Sequence, residues 1–97
     1  PKRPANDLGS MTEVEYTEKS VAHLENLDPP VADRVMNKVD EATEWTDHRL
    51  QPLSGWPYYK LRAGDYRAII DWDRDRDVLR VEAVGHRRNV YDRYLPP

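Results

Sequence analysis

The sequence has no cysteine and only three histidines. Without cysteine the chain can form neither disulfide bridges nor thiolate zinc sites, and it lacks a cysteine nucleophile; this composition is typical of a reducing cytoplasm. The histidines are scattered at positions 23, 48 and 86, a spacing that matches no metal-binding motif. We therefore expect no metal ion and no cofactor.

Long apolar runs are also missing, because no uninterrupted apolar stretch exceeds three residues. A membrane-spanning helix requires about 20 such residues. We therefore expect a cytoplasmic protein that has no membrane partner.

The length of 97 residues is enough for one domain with a modest core. Residues 1–10 show no apolar periodicity, and Gly9-Ser10 directly before Met11 is typical of a cloning junction. We predict a vector-derived or disordered tail over residues 1–10 and a single domain over residues 11–97.

The formal net charge of −3 by itself disfavours a nucleic-acid partner, because backbone phosphates attract basic proteins. The charge is unevenly distributed, however. Residues 11–55 contain four basic and ten acidic residues, a balance of −6, whereas residues 56–97 contain nine basic and seven acidic residues, a balance of +2. Any phosphate-binding surface should therefore come from the second half of the chain.

The first half of the domain predicts one strand and two helices. Polar and apolar residues alternate over residues 13–16, as in a half-buried strand. Thr17 is suited to cap a helix whose apolar positions recur every three residues, at Val21, Leu24 and Leu27. Asp28-Pro29-Pro30 ends that helix and begins a second one, whose apolar positions are Val31, Val35, Val39 and Ala42. We predict a helical hairpin whose apolar faces belong to the core.

The second half predicts an antiparallel meander. The apolar periodicity lapses from Asp47 to Pro57, which indicates a loop. Three strands and a short closing helix follow, at Tyr58–Arg62, Tyr66–Trp72, Val78–Val84 and Asn89–Leu95. The element order β-α-α-β-β-β-α predicts an α+β fold, with the helical hairpin on one face of a small, mainly antiparallel sheet.

Side-chain alternation along these strands assigns several residues to the core. Tyr66 and Trp72 share the parity of the apolar positions between them, so we assign both aromatic rings to the core instead of to base stacking. One face of the third strand is predicted to carry Leu79, Val81 and Ala83.

Two sequence motifs resemble the signature of the RelE/ParE toxin superfamily. The first is YKLRAGDYR at residues 59–67, and the second is VGHRRNVY at residues 84–91. The similarity extends over nearly all of residues 11–95, including the order of elements and the Leu-Ser-Gly loop at residues 53–55. The resemblance implies a RelE-like fold and a type II toxin of the RelE-like branch, a ribosome-dependent endoribonuclease that cleaves mRNA in the A site.

The resemblance also implies an active site on the open face of the sheet, with four catalytic residues: Lys60, Arg67, Arg87 and Tyr91. The chemistry would be a metal-free transesterification, which needs a base, an acid and positive charge for the developing phosphorane. Lys60 would stabilise that charge or act as the base, and Arg67 would grip the phosphate with its planar fork. Arg87 would act on the leaving-group side. Tyr91 would orient or deprotonate the 2′-hydroxyl, although a phenol with its usual pKa near 10 is a poor base.

Three neighbouring residues are predicted to bind RNA: Arg62, His86 and Arg88. One position departs from the family pattern, because Tyr58 stands where relatives often carry a second lysine. The acidic overall charge is a second departure. Both predict weaker ribosome binding or slower turnover than in relatives.

The implied partners are the ribosome, mRNA and a RelB-like antitoxin that forms a hetero-oligomeric complex with the toxin. Segments of the antitoxin would wrap the domain and displace the closing helix or cover Arg67 and Arg87. Two alternatives remain open: a ParE-like inhibitor of DNA gyrase, and an inactive module that only binds an antitoxin. Retention of all four catalytic positions favours the nuclease, whereas Tyr58 and the acidic charge favour the inactive module.

Overall fold

The computed structural model describes residues 12–95. Its elements are β1 Glu13–Tyr16, α1 Glu18–Glu25, α2 Pro29–Glu41, α3 Thr46–Arg49, β2 Gln51–Pro52, β3 Tyr59–Ala63, β4 Tyr66–Asp73, β5 Val78–His86 and α4 Val90–Tyr94. This confirms the predicted α+β class. The tail predicted for residues 1–10 lies outside the described residues.

The five strands form one sheet in the order β1-β5-β4-β3-β2. β1 is parallel to β5, and every other neighbouring pair is antiparallel, which confirms the predicted meander. The loop predicted from Asp47 to Pro57 is only partly correct, because α3 and the two-residue strand β2 lie within it. β2 exists through its pairing with β3, a contact between distant residues that leaves no local periodicity.

The helical hairpin begins with the predicted cap. The backbone N–H of Ser20 donates to Thr17 Oγ1 at 3.1 Å, which satisfies a free amide of the first turn of α1. α2 begins at Pro29, whose fixed φ suits a first helical position, after Asp28 in extended conformation. The prediction that Val21 belongs to the core is wrong, since this side chain is 41% exposed while Leu24 is buried.

The larger apolar cluster lies between the helical hairpin and the sheet. Its completely buried residues include Val35, Val39, Ile70, Leu79 and Val81. The predicted core aromatics Tyr66 and Trp72 pack against it and are partly buried. A smaller cluster, centred on Ile69, Ala83, Val90 and Leu95, packs α4 against the sheet.

A β-bulge in β5 decides which side chains face the helical hairpin. Ile69 pairs with Ala83 but the next residue, Ile70, pairs with Val81, so Glu82 is an extra residue on β5. The extra residue reverses the parity of the strand. Ala83 therefore packs in the smaller cluster, and the prediction that it shares a face with Val81 is wrong. Thr17 secures the bulge by donating to the carbonyls of Val81 and Glu82.

No helix within residues 12–95 is long and apolar enough to cross a membrane.

Candidate active site on the open face of the sheet

A basic cavity of about 200 Å³ opens on the sheet face away from the helical hairpin; it is lined by Arg49, Gln51, Lys60, Arg62 and Arg67. Strand alternation explains this grouping. The odd-numbered residues of β3 pack in the larger apolar cluster, so Lys60 and Arg62 point to the opposite face. Arg62 is paired directly with Arg67 across β3 and β4, and Lys60 is paired with Gln51 across β2 and β3.

Arg67 is anchored to the turn that joins β3 and β4. Its Nη1 donates to the carbonyl oxygens of Gly64 and Tyr66, both at 2.9 Å. Gly64 occupies the first position of this two-residue turn with φ of 63°, a backbone conformation that favours glycine. The turn therefore fixes the guanidinium beside the cavity before any ligand binds.

Arg87 lies beside the same turn. Its backbone N–H donates to the carbonyl of Asp65 at 2.8 Å, and its Nε lies 3.6 Å from Asp65 Oδ1. Both side chains are exposed, so this ion pair contributes little stability and is easily exchanged for another anion. Asp65 thus holds Arg87 at the turn that also anchors Arg67, without neutralising Arg87 permanently.

Tyr91 comes from α4 and packs against the smaller apolar cluster. Its hydroxyl is buried and makes no hydrogen bond of ordinary geometry within residues 12–95. Burial raises the pKa of Tyr91, and the positive charge of Arg67 opposes only part of that effect. Tyr91 is therefore a neutral phenol near pH 7, able to donate a hydrogen bond but unsuited to remove a proton.

His86 lies apart from this group. The bulge turns it toward the helix side, where its ring meets Tyr66 edge-on at 5.3 Å and lines a separate cavity of about 210 Å³ that also contains His23. His86 Nδ1 accepts a hydrogen bond from the backbone N–H of Arg88 at 3.2 Å, and the Arg88 side chain is exposed. The structure thus brings Lys60, Arg62 and Arg67 together but separates His86 from them.

The sequence prediction missed Arg49 and Gln51 as lining residues. Both fall within the segment that was assigned to a loop, and they reach the cavity only because β2 adds to the edge of β3. No local pattern marks them. Within residues 12–95, no group of three or more His, Asp or Glu side chains is arranged to hold a metal ion.

The family model of the ParE toxin of type II toxin–antitoxin systems matches residues 14–91. This span contains the sheet, the basic cavity and both sequence motifs. This match shows that the chain is a toxin of the RelE/ParE superfamily, in the setting of a type II toxin–antitoxin system. The chain belongs to the ParE toxin family.

Solved structures similar to this chain include RelE toxins, alone or with their antitoxins. The RelBE2 toxin–antitoxin complex of Mycobacterium tuberculosis has a TM-score of 0.72 at 19% identity, covering 78% of this chain and 98% of that chain. The RelE–RelB complex of Pyrococcus horikoshii has a TM-score of 0.68 at 23% identity, covering 81% and 99%. The isolated RelE toxin of E. coli has a TM-score of 0.66 at 25% identity, covering 84% and 92%. These similarities confirm the RelE fold. Comparison with curated proteins gives no match.

Proposed function

We propose that this toxin is a ribosome-dependent endoribonuclease that cleaves mRNA in the A site by a metal-free attack of the ribose 2′-hydroxyl. The observation that carries the proposal is the convergence of Lys60, Arg62 and Arg67 in one open cavity, in a chain whose overall charge is negative. Asp65 holds Arg87 at the turn that anchors Arg67, and the charge of Arg67 acts on Tyr91. The arginines of this group supply the positive charge that a phosphorane requires.

In the proposed reaction the 2′-oxygen forms a bond to the adjacent phosphorus, and the bond from phosphorus to the 5′-oxygen of the next nucleotide breaks. The products are a 2′,3′-cyclic phosphate and a 5′-hydroxyl. Arg67, already oriented by Gly64 and Tyr66, binds two phosphate oxygens through its planar guanidinium. Arg87 leaves Asp65 to stabilise the negative charge on the departing 5′-oxygen, which then takes a proton from solvent water to give the 5′-hydroxyl.

The proton of the 2′-hydroxyl needs an acceptor, and the site offers few. Arginine stays charged in proteins, which excludes Arg67 and Arg87. Burial raises the pKa of Tyr91, which excludes its phenolate near neutral pH. Lys60 is the one of the four residues whose side chain can take up this proton when it is present as the neutral amine, and we assign that form the role of proton acceptor, with Tyr91 orienting the ribose.

We further propose a RelB-like antitoxin as the partner of this toxin, in a hetero-oligomeric complex. Support comes from the similar structures, several of which are toxin–antitoxin complexes of RelE with RelB. The exposed cations of the open face fit an acidic segment that covers Arg67 and Arg87. Reactivity of these arginines toward a modifying reagent should then fall when the antitoxin binds, and unchanged reactivity would count against this placement.

The experiment that tests the nuclease uses a reconstituted translation reaction, with mRNA ends mapped by primer extension. The wild-type chain is compared with an Arg67→Ala/Arg87→Ala double variant whose folding is verified by circular dichroism. Cuts in the A-site codon that disappear with the double variant are the expected result. An intact mRNA with folded wild-type protein contradicts the proposal.

A second candidate is inhibition of DNA gyrase, which resemblance to the ParE branch implies. The observation that favours it is the match to the ParE toxin family over residues 14–91. A supercoiling assay with purified gyrase separates the two functions, since the nuclease should leave supercoiling unchanged. Loss of supercoiling without mRNA cleavage would establish the gyrase inhibitor, and absence of both activities would indicate an inactive antitoxin-binding module.

A further inference from the structure

Arg49 extends the basic cavity to the edge of the sheet. It ends α3, two residues before Gln51, which pairs with Lys60 on β3. Arg49 also lines the cavity together with Arg62, and Arg62 is itself paired with Arg67 across β3 and β4. Arg49, Arg62 and Arg67 therefore form one arginine cluster around the cavity, contributed by α3, β3 and β4.

This cluster costs stability, because Arg62 and Arg67 lie directly opposite each other and like charges in that position destabilise a sheet. Within residues 12–95, neither Lys60 nor Arg62 has a carboxylate within ion-pair distance. Arg49 has one, Glu41, with 3.5 Å between Nη1 and Oε1. Both partners are nearly half exposed, so the pair is weak and is readily exchanged for a stronger anion.

The arginines of this cluster are held in different ways. The guanidinium of Arg67 is anchored to the turn at residues 64–65, whereas the Arg49 guanidinium is held by its exposed ion pair with Glu41. A nucleic-acid strand carries one phosphate for each nucleotide, so a second, exchangeable cation in the same cavity can bind a phosphate beside the one that Arg67 binds.

We propose that Arg49 gives up its ion pair with Glu41 and binds an RNA phosphate next to the scissile phosphate. The inference rests on the proposed nuclease function and adds a substrate-binding residue to it. Arg67 and Lys60 act at the scissile phosphate, and Arg49 with Arg62 holds the neighbouring part of the strand. Arg49 therefore contributes to substrate affinity and little to the rate of the bound complex.

The test is a double-mutant cycle between Arg49 and single phosphates of the mRNA. Each phosphate within two nucleotides of the cut is replaced in turn by a neutral methylphosphonate, and single-turnover cleavage on programmed ribosomes is measured against toxin concentration. Arg80→Gln is the matched control for Arg49→Gln, because Arg80 is 46% exposed, Arg49 is 44% exposed, and each lies 3.5 Å from one glutamate.

With unmodified mRNA, Arg49→Gln should raise the half-saturating toxin concentration about tenfold, as expected for a charged hydrogen bond, and leave the rate at saturation unchanged. A methylphosphonate at one position should raise the half-saturating concentration of the wild type by a similar factor. The same methylphosphonate should not raise that of Arg49→Gln further. Arg80→Gln should change half-saturation less than twofold on unmodified mRNA and remain sensitive to that methylphosphonate.

If Arg49→Gln and each methylphosphonate change the half-saturating concentration independently, Arg49 contacts none of these phosphates. The proposed contact would then be wrong, while the nuclease function would stand. Equal losses in Arg49→Gln and Arg80→Gln would overturn the contact too, since the effect would then be one of net charge. Weaker antitoxin binding by Arg49→Gln with unchanged RNA half-saturation would assign Arg49 to the antitoxin instead. Absence of wild-type cleavage on unmodified mRNA would refute the nuclease itself, and Arg49 with it.

Discussion

The two faces of the sheet are built from the same strands but serve different purposes. The face under the helical hairpin is filled by apolar side chains with no exposed surface, among them Ile70, Leu79 and Val81. The other face carries a small apolar cluster under α4 and, beside it, a cavity lined by cations. Stability therefore comes mainly from the covered face, and the open face is available for chemistry.

The faces also differ in what fixes their side chains. Close packing holds the covered face, where a missing methylene leaves a cavity. On the open face Arg67 is held by two backbone carbonyls, and Arg87 by an exposed ion pair with Asp65. Substitutions of the cations on the open face should consequently change activity far more than the free energy of unfolding.

The largest expected effect comes from Lys60→Arg, which keeps the positive charge but removes the proposed proton acceptor. Cleavage on the ribosome should fall about 10²- to 10⁴-fold, the usual contribution of a general base. The free energy of unfolding should stay within about 0.5 kcal/mol of the wild type, because Lys60 has no ion pair within residues 12–95. Cleavage within threefold of the wild type would show that the proton goes elsewhere.

Adjacent isoleucines allow the two faces to be compared with one chemical change. Ile70→Ala on the covered face and Ile69→Ala under α4 should each lower the free energy of unfolding by about 2–5 kcal/mol, since both residues are buried. Only Ile69→Ala should also reduce cleavage per folded molecule, because it loosens the support of Tyr91. Denaturant titrations and cleavage assays under stabilising conditions measure both quantities. Equal losses of cleavage in Ile69→Ala and Ile70→Ala would show that the two faces do not differ in their support of the active site.

Gly85 gives a smaller effect through the position of α4. A Cβ at this residue would lie 3.1 Å from Cβ and Cγ2 of Val90, so Gly85→Ala requires Val90, at the start of α4, to move by a few tenths of an ångström. Overpacking of this kind costs about 1–3 kcal/mol. Hydrogen exchange should accelerate in α4 while β4 stays protected. Unchanged protection of α4 would show that the helix tolerates the methyl group without moving.

The smallest effect is a pH dependence at His23. Its Nδ1 accepts a hydrogen bond from the backbone N–H of Val84 at 3.1 Å, so the folded state requires the neutral ring. Burial, together with the positive charges of Lys19 and Arg93, lowers the pKa of His23. In the unfolded chain, a histidine with a pKa near 6.5 takes up a proton at a higher pH than His23 does in the folded state. The free energy of unfolding should therefore decrease as pH falls below about 6.5.

His23→Gln should remove that part of the pH dependence, as seen in denaturation midpoints between pH 7.5 and pH 5.5. The control is His48→Gln, because His48 is exposed. A slope of stability against pH that is the same in His23→Gln as in the wild type would refute the role of this hydrogen bond.

Features of the fold that depend on neighbouring residues were predictable from the sequence. Thr17 caps α1 and Pro29 starts α2, and both signals are local. Features that depend on pairing between distant strands could not be predicted from the sequence. The bulge at Glu82 moved Ala83 to the other face, and the pairing of β2 with β3 brought Arg49 into the cavity.

The candidate site also combines residues that local signals predict with residues that depend on long-range pairing. The even spacing of Lys60 and Arg62 on β3 places both on the open face, because side chains alternate along a strand. His86 was grouped with the RNA-binding residues by its place beside Arg87, but the bulge turns it toward Tyr66. Register irregularities of this kind depend on the partner strand and cannot be read from one strand alone.

The most direct test of the central claim is the chemistry of the RNA ends produced on the ribosome. An mRNA with a single 2′-deoxynucleotide at the cleavage position is compared with the all-ribose mRNA. The proposed reaction predicts a 2′,3′-cyclic phosphate and a 5′-hydroxyl from the all-ribose mRNA, and no cut at the 2′-deoxy position. A cut at the 2′-deoxy position, 5′-phosphate ends, or an intact all-ribose mRNA would each contradict it.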